Sequence, residues 1–181
     1  MSHIDDEIRE LSLELYQTYT KLQELKKQKE PQPVKNYEFL TENHKPIHLL
    51  DMFKDQDYMI VIHNMGGKCS WCTAWADGFS GIYPLILKEA AFYVSSPDSP
   101  EQQAVIKSER GWQFPMVSIA ESRFSKDMGF QEGTNYFPGL SVFVKNADET
   151  IYRINSAPIG PSDQFGVLWH LYDLLPNNPM S

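Results

Sequence analysis

Met65-Gly-Gly-Lys-Cys69-Ser-Trp-Cys72-Thr-Ala-Trp-Ala-Asp77-Gly-Phe-Ser-Gly81 contains both cysteines of the chain. It follows Tyr58-Met-Ile-Val-Ile-His63, an apolar run of the length expected for a buried strand. Gly66 and Gly67 loosen the backbone, and the cysteines fall three residues apart where helix-forming residues begin. The spacing predicts a strand, a loop and a helix, with the cysteine pair at the strand-to-helix junction. One helical turn brings residues i and i+3 together, so the two sulfurs can close a short disulfide. At a helix start, unpaired N–H groups and the helix dipole favour a thiolate on Cys69, and Lys68 adds a nearby positive charge. In an α/β pattern this arrangement reads as a redox dithiol.

Two other readings stand beside it. A Cys-x-x-Cys can be half of a zinc site, but a structural zinc takes four Cys or His ligands. This chain has no further cysteine, and His3, His63 and His170 show no paired ligand spacing. The expectation is therefore no metal and no cofactor. The cysteines could also be structural. His63 lies in the apolar strand and reads as a core histidine rather than a ligand.

The 181 residues are 41% hydrophobic and 22% charged, a globular composition with room for one ordinary domain and an appendage. The formal charge of −8 argues against nucleic acid and against an anionic membrane surface as partners. No segment approaches the ~20 apolar residues of a membrane span. The acidic start, Met-Ser-His-Ile-Asp-Asp-Glu, lacks the basic and apolar regions of a signal peptide, so a cytoplasmic location is expected. There a lone cysteine pair is more readily catalytic or sensing than a permanent bridge.

From residue 4 to about 29 the pattern predicts one long polar helix. Ile4, Ile8, Leu11, Leu15, Thr18, Leu22 and Leu25 recur at alternating steps of four and three. The stripe is expected to bury itself on its own domain or on a second chain, and a homodimer through this helix is one expected assembly. Pro31-Gln-Pro33 reads as a linker, dividing residues 1–33 from a domain over 34–181. Tyr37–Phe39 and Pro46–His48 read as a short hairpin or as two extended pieces, and Ala90–Val94 as a second apolar strand. Ser99 and Pro100 open a helix that Gly111 stops. Met116–Ser118 and Ser122–Met128 add a short strand and helix. Leu140–Lys145 and Thr150–Ile154 flank Asn146-Ala-Asp-Glu149 as a hairpin, and Ser162 is read as the cap of a last helix ending near Leu175. The order predicts an α/β fold: a mixed central sheet flanked by helices, parallel in its βαβ part and antiparallel in its hairpin.

Tyr37-x-Phe39, Leu50-Asp-Met-Phe53, Ile62-His-Asn-Met65, Cys69-Ser-Trp-Cys-Thr-Ala-Trp-Ala-Asp-Gly-Phe79, Gly111-Trp-Gln-Phe-Pro115, Gly139-Leu-Ser-Val-Phe143 and Trp169-His-Leu-Tyr-Asp-Leu174 occur in that order. Over residues 35 to 176 the chain resembles a bacterial thioredoxin-like family of predicted dithiol-disulfide oxidoreductases. The resemblance implies a thioredoxin-like fold with Cys69 and Cys72 as the redox pair, and the order of elements places an inserted strand-helix segment between Trp112 and Phe130. It implies no substrate. Three positions depart from better-known relatives. Thioredoxins set a cis-proline directly before the first hairpin strand, where Pro138 stands two residues ahead of Leu140. The residues between the cysteines are Ser-Trp rather than Gly-Pro. Peroxiredoxins carry threonine where this chain has Gly66.

The expected activity is thiol-disulfide exchange with protein or small-molecule thiols and disulfides, Cys69 attacking and Cys72 resolving. Trp71 reads as part of a substrate-facing apolar surface or as core, and Trp75 as core. Asp77 reads as a proton-relay carboxylate or, more simply, as a residue near the helix end. A non-enzymatic redox sensor or binding module on the same scaffold is the alternative.

Overall fold

In the computed structural model, which describes residues 3–161 and 163–176, the chain divides into one unit ending at Pro31 and another beginning at Gln32. The first holds one helix, α1 (His3–Lys27), with Asp5 and Asp6 in its first turn and Lys26 and Lys27 in its last. Acid at the start and base at the end both oppose the helix dipole. The alternating four-three spacing places the Ile/Leu stripe along one side.

The second unit opens on an edge strand rather than a linker. Strand β1 (Gln32–Val34) pairs antiparallel with the start of β10 (Ile151–Pro158). Pro33 has no N–H to donate, which an edge strand tolerates because one of its sides meets no neighbouring strand. Strands β2 (Glu38–Thr41) and β3 (Pro46–His48) form the expected hairpin. A 3₁₀ turn, Asp51–Phe53, leads to β4 (Tyr58–His63). Then come α2 (Ser70–Ser80), a short α3 (Tyr83–Ile86) and β5 (Ala91–Ser96). Helix α4 (Pro100–Arg110) carries the Ser99–Gln102 capping box, and Gly111 closes it at φ +67°, a conformation glycine adopts without strain. Strand β6 (Met116–Ser118) and α5 (Phe124–Asp127) precede a ribbon of β7 (Gln131–Glu132) and β8 (Asn135–Tyr136) that the sequence reading lacked. Strand β9 (Gly139–Lys145) and β10 make the last hairpin. Helix α6 spans Val167–Tyr172, shorter than expected, and Ser162 lies outside the described residues.

The main sheet has the order β1-β10-β9-β4-β5-β6-β2-β3. Strands β4, β5 and β6 are parallel, whereas β9 runs antiparallel beside β4. Strand β5 is buried at every position, as a strand covered on both faces should be. Side chains alternate across β4. Met59 and Val61 join Phe39, Phe53, Phe124 and Phe143 on one face. Ile62 joins Trp75, Phe79, Phe92, Phe114 and Trp169 on the other, which is the face α2 covers.

Candidate active site

The C-terminal end of β4 delivers the chain into the cysteine loop, and neighbouring segments fix that loop. The Asn64 N–H donates to the Ser95 carbonyl at 2.9 Å, and the Gly66 N–H to Asn64 Oδ1 at 2.8 Å. Gly67 N–H donates to Asp98 Oδ2 at 2.8 Å, and the same oxygen accepts the Ser96 hydroxyl at 3.1 Å. Gly66 sits at φ +107°, and a Cβ there would meet Asp98 Oδ1 at 2.9 Å. Both the backbone conformation and the close carboxylate therefore require glycine. The Cys69 N–H donates to the Gly66 carbonyl at 3.1 Å and closes the approach.

Cys69 is the N-cap of α2, in extended conformation, and its sulfur accepts the Cys72 N–H at 3.2 Å. A cap normally uses a serine, threonine or carboxylate oxygen for this bond. Here the acceptor is a sulfur. The Cys69 carbonyl accepts both the N–H and the hydroxyl of Thr73 at 3.0 Å, which fixes the first turn. Both cysteines are free thiols, Cys69 half-buried and Cys72 only 7% exposed. Burial, reinforced by a hydrogen bond to Cys69, pushes the Cys72 thiol up to about 12, while hydrogen bonds from the Met65 backbone work in the opposite sense. Cys72 thus stays protonated at neutral pH.

Lys68 is exposed beside the pair. Trp71 is 46% exposed, and its ring meets Trp169 of α6 edge-on at 5.3 Å, so it is part surface and part packing. Trp75 is buried, and its indole N–H donates to Asp163 Oδ2 at 3.1 Å. Asp77 does not end the helix, which continues through Gly78 to Ser80. Its carboxylate accepts the Trp112 indole N–H at 2.8 Å and pairs with Arg110 at 3.1 Å. Its oxygens tie α2 to the end of α4 and the segment after it.

Strand β9 begins at Gly139, so Pro138 directly precedes it, and no peptide bond among the described residues is cis. The Pro138 carbonyl accepts the Ile159 N–H at 3.1 Å. Gly139 pairs with His63, which puts Pro138 beside the strand end from which the cysteine loop departs. His63 points to the face away from α2. It is buried with its ring stacked on Phe130 at 4.1 Å, and Nε2 lies 2.9 Å from Ser141 Oγ. A Cβ at Gly139 would fall 1.9 Å from the Phe130 ring, so the glycine makes room for that stack.

Residues 16–178 match the family model described as "Bacterial protein of unknown function (DUF899)". The chain belongs to this family. No curated protein matches the sequence. Solved structures that resemble this DUF899 member include peroxidoxin BcpB from Mycobacterium tuberculosis, at 18% identity and TM-score 0.59, covering 72% of this chain and 85% of that one. Peroxiredoxin Q of Xanthomonas campestris resembles it at 12% identity and TM-score 0.61, over 74% of this chain and 87% of that one. A PrxQ variant from Xylella fastidiosa does so at 12% identity and TM-score 0.61, over 79% and 94%. The DUF899 chain therefore has a thioredoxin-like fold of the kind peroxiredoxins share.

Several residues that build the site in this DUF899 member carry no signal in the sequence. Asp98 and Asn64 hold the loop through single backbone bonds. Asp163 accepts N–H groups from Gly160, Phe165 and Gly166 as well as from Trp75, and so fastens the segment before α6 to α2. Only the Ser-Ser-Pro-Asp-Ser-Pro composition around Asp98 marks a turn, and a turn by itself names no contact. Among the described residues no group of three or more His, Cys, Asp or Glu side chains is placed to hold a metal ion. No helix among them is long and apolar enough to cross a membrane.

Proposed function

We propose that this protein is a dithiol-disulfide oxidoreductase that works through Cys69 and Cys72 in a reducing cytoplasm. One observation carries the reading: Cys69 caps α2 with its sulfur on the Cys72 N–H, while Cys72 lies buried one turn deeper, its thiol hydrogen-bonded to Cys69. The more accessible sulfur is the one with a backbone donor, and the enclosed one is its nearest partner.

In the forward step the Cys69 thiolate attacks one sulfur of a substrate disulfide. The substrate S–S bond breaks, a Cys69–substrate disulfide forms, and the first substrate thiolate leaves with the electron pair. Cys72 then attacks Cys69 Sγ, and its proton passes to the departing second thiolate. The Cys69–Cys72 disulfide forms and the substrate leaves as a dithiol. Two electrons have moved from the cysteine pair to the substrate, and an external thiol reductant resets the pair. The high pKa of Cys72 suits the resolving role, since a protonated, enclosed thiol does not compete for the first attack. Trp71 supports an apolar approach surface beside Cys69.

The peroxiredoxin-like fold favours a second reading in which the acceptor is a peroxide. There Cys69 attacks one oxygen, the O–O bond breaks, an alcohol or water leaves, and Cys69 becomes a sulfenic acid. Cys72 condenses with it, releasing water and giving the same disulfide. Trapping separates the two readings. Cys72→Ser should hold a mixed disulfide on Cys69 when mixed with reducible disulfides, and the wild type should reduce insulin disulfides over many cycles with dithiothreitol. A sulfenic acid formed quickly with peroxide, with no mixed disulfide from any disulfide, would favour peroxide. A protein oxidised once with no turnover on either substrate would point to a sensor.

A further inference from the structure

The stripe on α1 carries a specific charge pattern. With Ile8, Leu15 and Leu22 as a positions and Ile4, Leu11, Thr18 and Leu25 as d positions, the flanking g positions are Glu7, Glu14 and Lys21. The e positions are Asp5, Ser12, Tyr19 and Lys26. The flanks are therefore acidic in the first half of the helix and basic in the second. Asp6 with Arg9 and Glu24 with Lys27 are paired within the helix, on its outer side. The side chains of Glu14 and Lys21, beside the seam, make no hydrogen bond or ion pair among the described residues. Leu11 and Leu15 between them are 59% and 70% exposed.

We infer that α1 pairs with α1 of a second copy of this chain as an antiparallel coiled coil. Ile8 faces the partner's Leu25, Leu11 faces the partner's Leu22, and Leu15 faces the partner's Thr18. In an antiparallel pair g flanks meet g flanks and e flanks meet e flanks. This register sets Glu14 against the partner's Lys21 and Asp5 against the partner's Lys26, each twice by symmetry. No like charges meet across the seam. Sliding by one heptad in either direction sets Glu14 on Glu14 or Lys21 on Lys21 at the dyad. A parallel pair is worse placed, because g then meets the e position five residues on and Lys21 opposes the partner's Lys26 with no attractive pair in return. Exposed ion pairs add little affinity, so the Ile/Leu seam supplies the attraction while the flanks choose orientation and register. Thr18, which weakens the seam, falls next to the centre, between the two Glu14–Lys21 contacts.

Sedimentation equilibrium of the full chain tests this, with circular dichroism confirming that each variant stays helical. The wild type should sediment at twice the 20.9 kDa of one chain. Lys21→Glu should raise the dimer dissociation constant at least about tenfold, because two attractive contacts become two repulsive ones. The double change Glu14→Lys with Lys21→Glu should restore it, and Leu11→Asp should abolish the dimer. A parallel coil gives the opposite sign, since Lys21→Glu would relieve Lys21 against Lys26 and tighten it. A chain that stays monomeric to about 100 μM would overturn the proposal and leave the stripe to another partner. So would a dimer that tightens with Lys21→Glu, one indifferent to Leu11→Asp, or a higher oligomer.

Discussion

At the C-terminal end of β4 the two faces of the sheet treat an ionisable side chain in opposite ways. On one face His63 is sealed between Phe130 and Phe124, with Ser141 on Nε2 and no partner on Nδ1 among the described residues. Burial, with a smaller contribution from Arg153, pushes its pKa down to about 3, so the ring is neutral throughout the physiological range. On the other face, six residues on, Cys69 stands at a helix start with partial access to solvent and a backbone N–H on its sulfur. Residue type alone makes histidine the commoner acid-base group near neutrality. Here enclosure by rings removes the histidine from chemistry, while a helix end leaves the thiol available. Position in the fold, more than side-chain chemistry, divides support from reactivity.

The sharpest break of this contrast is Cys69→Ser. It should lower disulfide-reducing activity by more than about a thousandfold, as loss of a nucleophile does, while leaving stability within about 0.5 kcal/mol. Activity assays and thermal melts on the same preparation read both. On the opposite face Phe130→Ala should reverse the pattern. It removes a buried ring from the His63 stack and should cost about 3 kcal/mol in denaturant melts. The order of alkylation, Cys69 before Cys72, should survive it.

A smaller effect sharpens the histidine side. The folded pKa of His63 lies below the unfolded value of about 6.5. Its contribution to stability is complete above pH 6.5 and is lost as pH falls toward 3, because the unfolded chain takes up a proton that the fold refuses. The slope is at most about 1.4 kcal/mol per pH unit. His63→Gln should flatten the stability curve in that window relative to wild type and leave it parallel above pH 7. Equal slopes in both proteins would mean that His63 is not excluded from protonation. The smallest expected effect is Asp163→Ala, which leaves the Trp75 indole and three backbone N–H groups without their acceptor. It should cost about 1–3 kcal/mol and alter Trp fluorescence without removing activity.

Much of this was legible in the chain itself, for physical reasons. Met59–Ile62 is apolar because both faces of the strand are covered beyond Tyr58, and the structure gives the strand the bounds Tyr58–His63. Ser99, Pro100 and Gly111 mark α4 because caps depend on local chemistry. What escaped was decided by long-range pairing. Gln32–Val34 is a strand only because β10 lies beside it, and Asp77 makes its bonds to Arg110 and Trp112, more than thirty residues away. The start of β9 at Gly139 follows from its pairing with His63 and Pro158, far away in the chain. At the site, the Cys-x-x-Cys spacing foretold the helix start but not the loop's dependence on Asn64 and Asp98, whose bonds run to backbone atoms and leave no spacing to read.

The central claim is that Cys69 and Cys72 form one reversible two-electron couple. Equilibration of the intact protein in glutathione buffers of stepped ratio, quenched and read by mass spectrometry, tests it directly. The account predicts a single two-electron transition between the dithiol and a Cys69–Cys72 disulfide two hydrogens lighter, with a midpoint between about −120 and −270 mV. Two cysteines that stay reduced across the whole series, or that only take up glutathione one at a time without closing on each other, would contradict it.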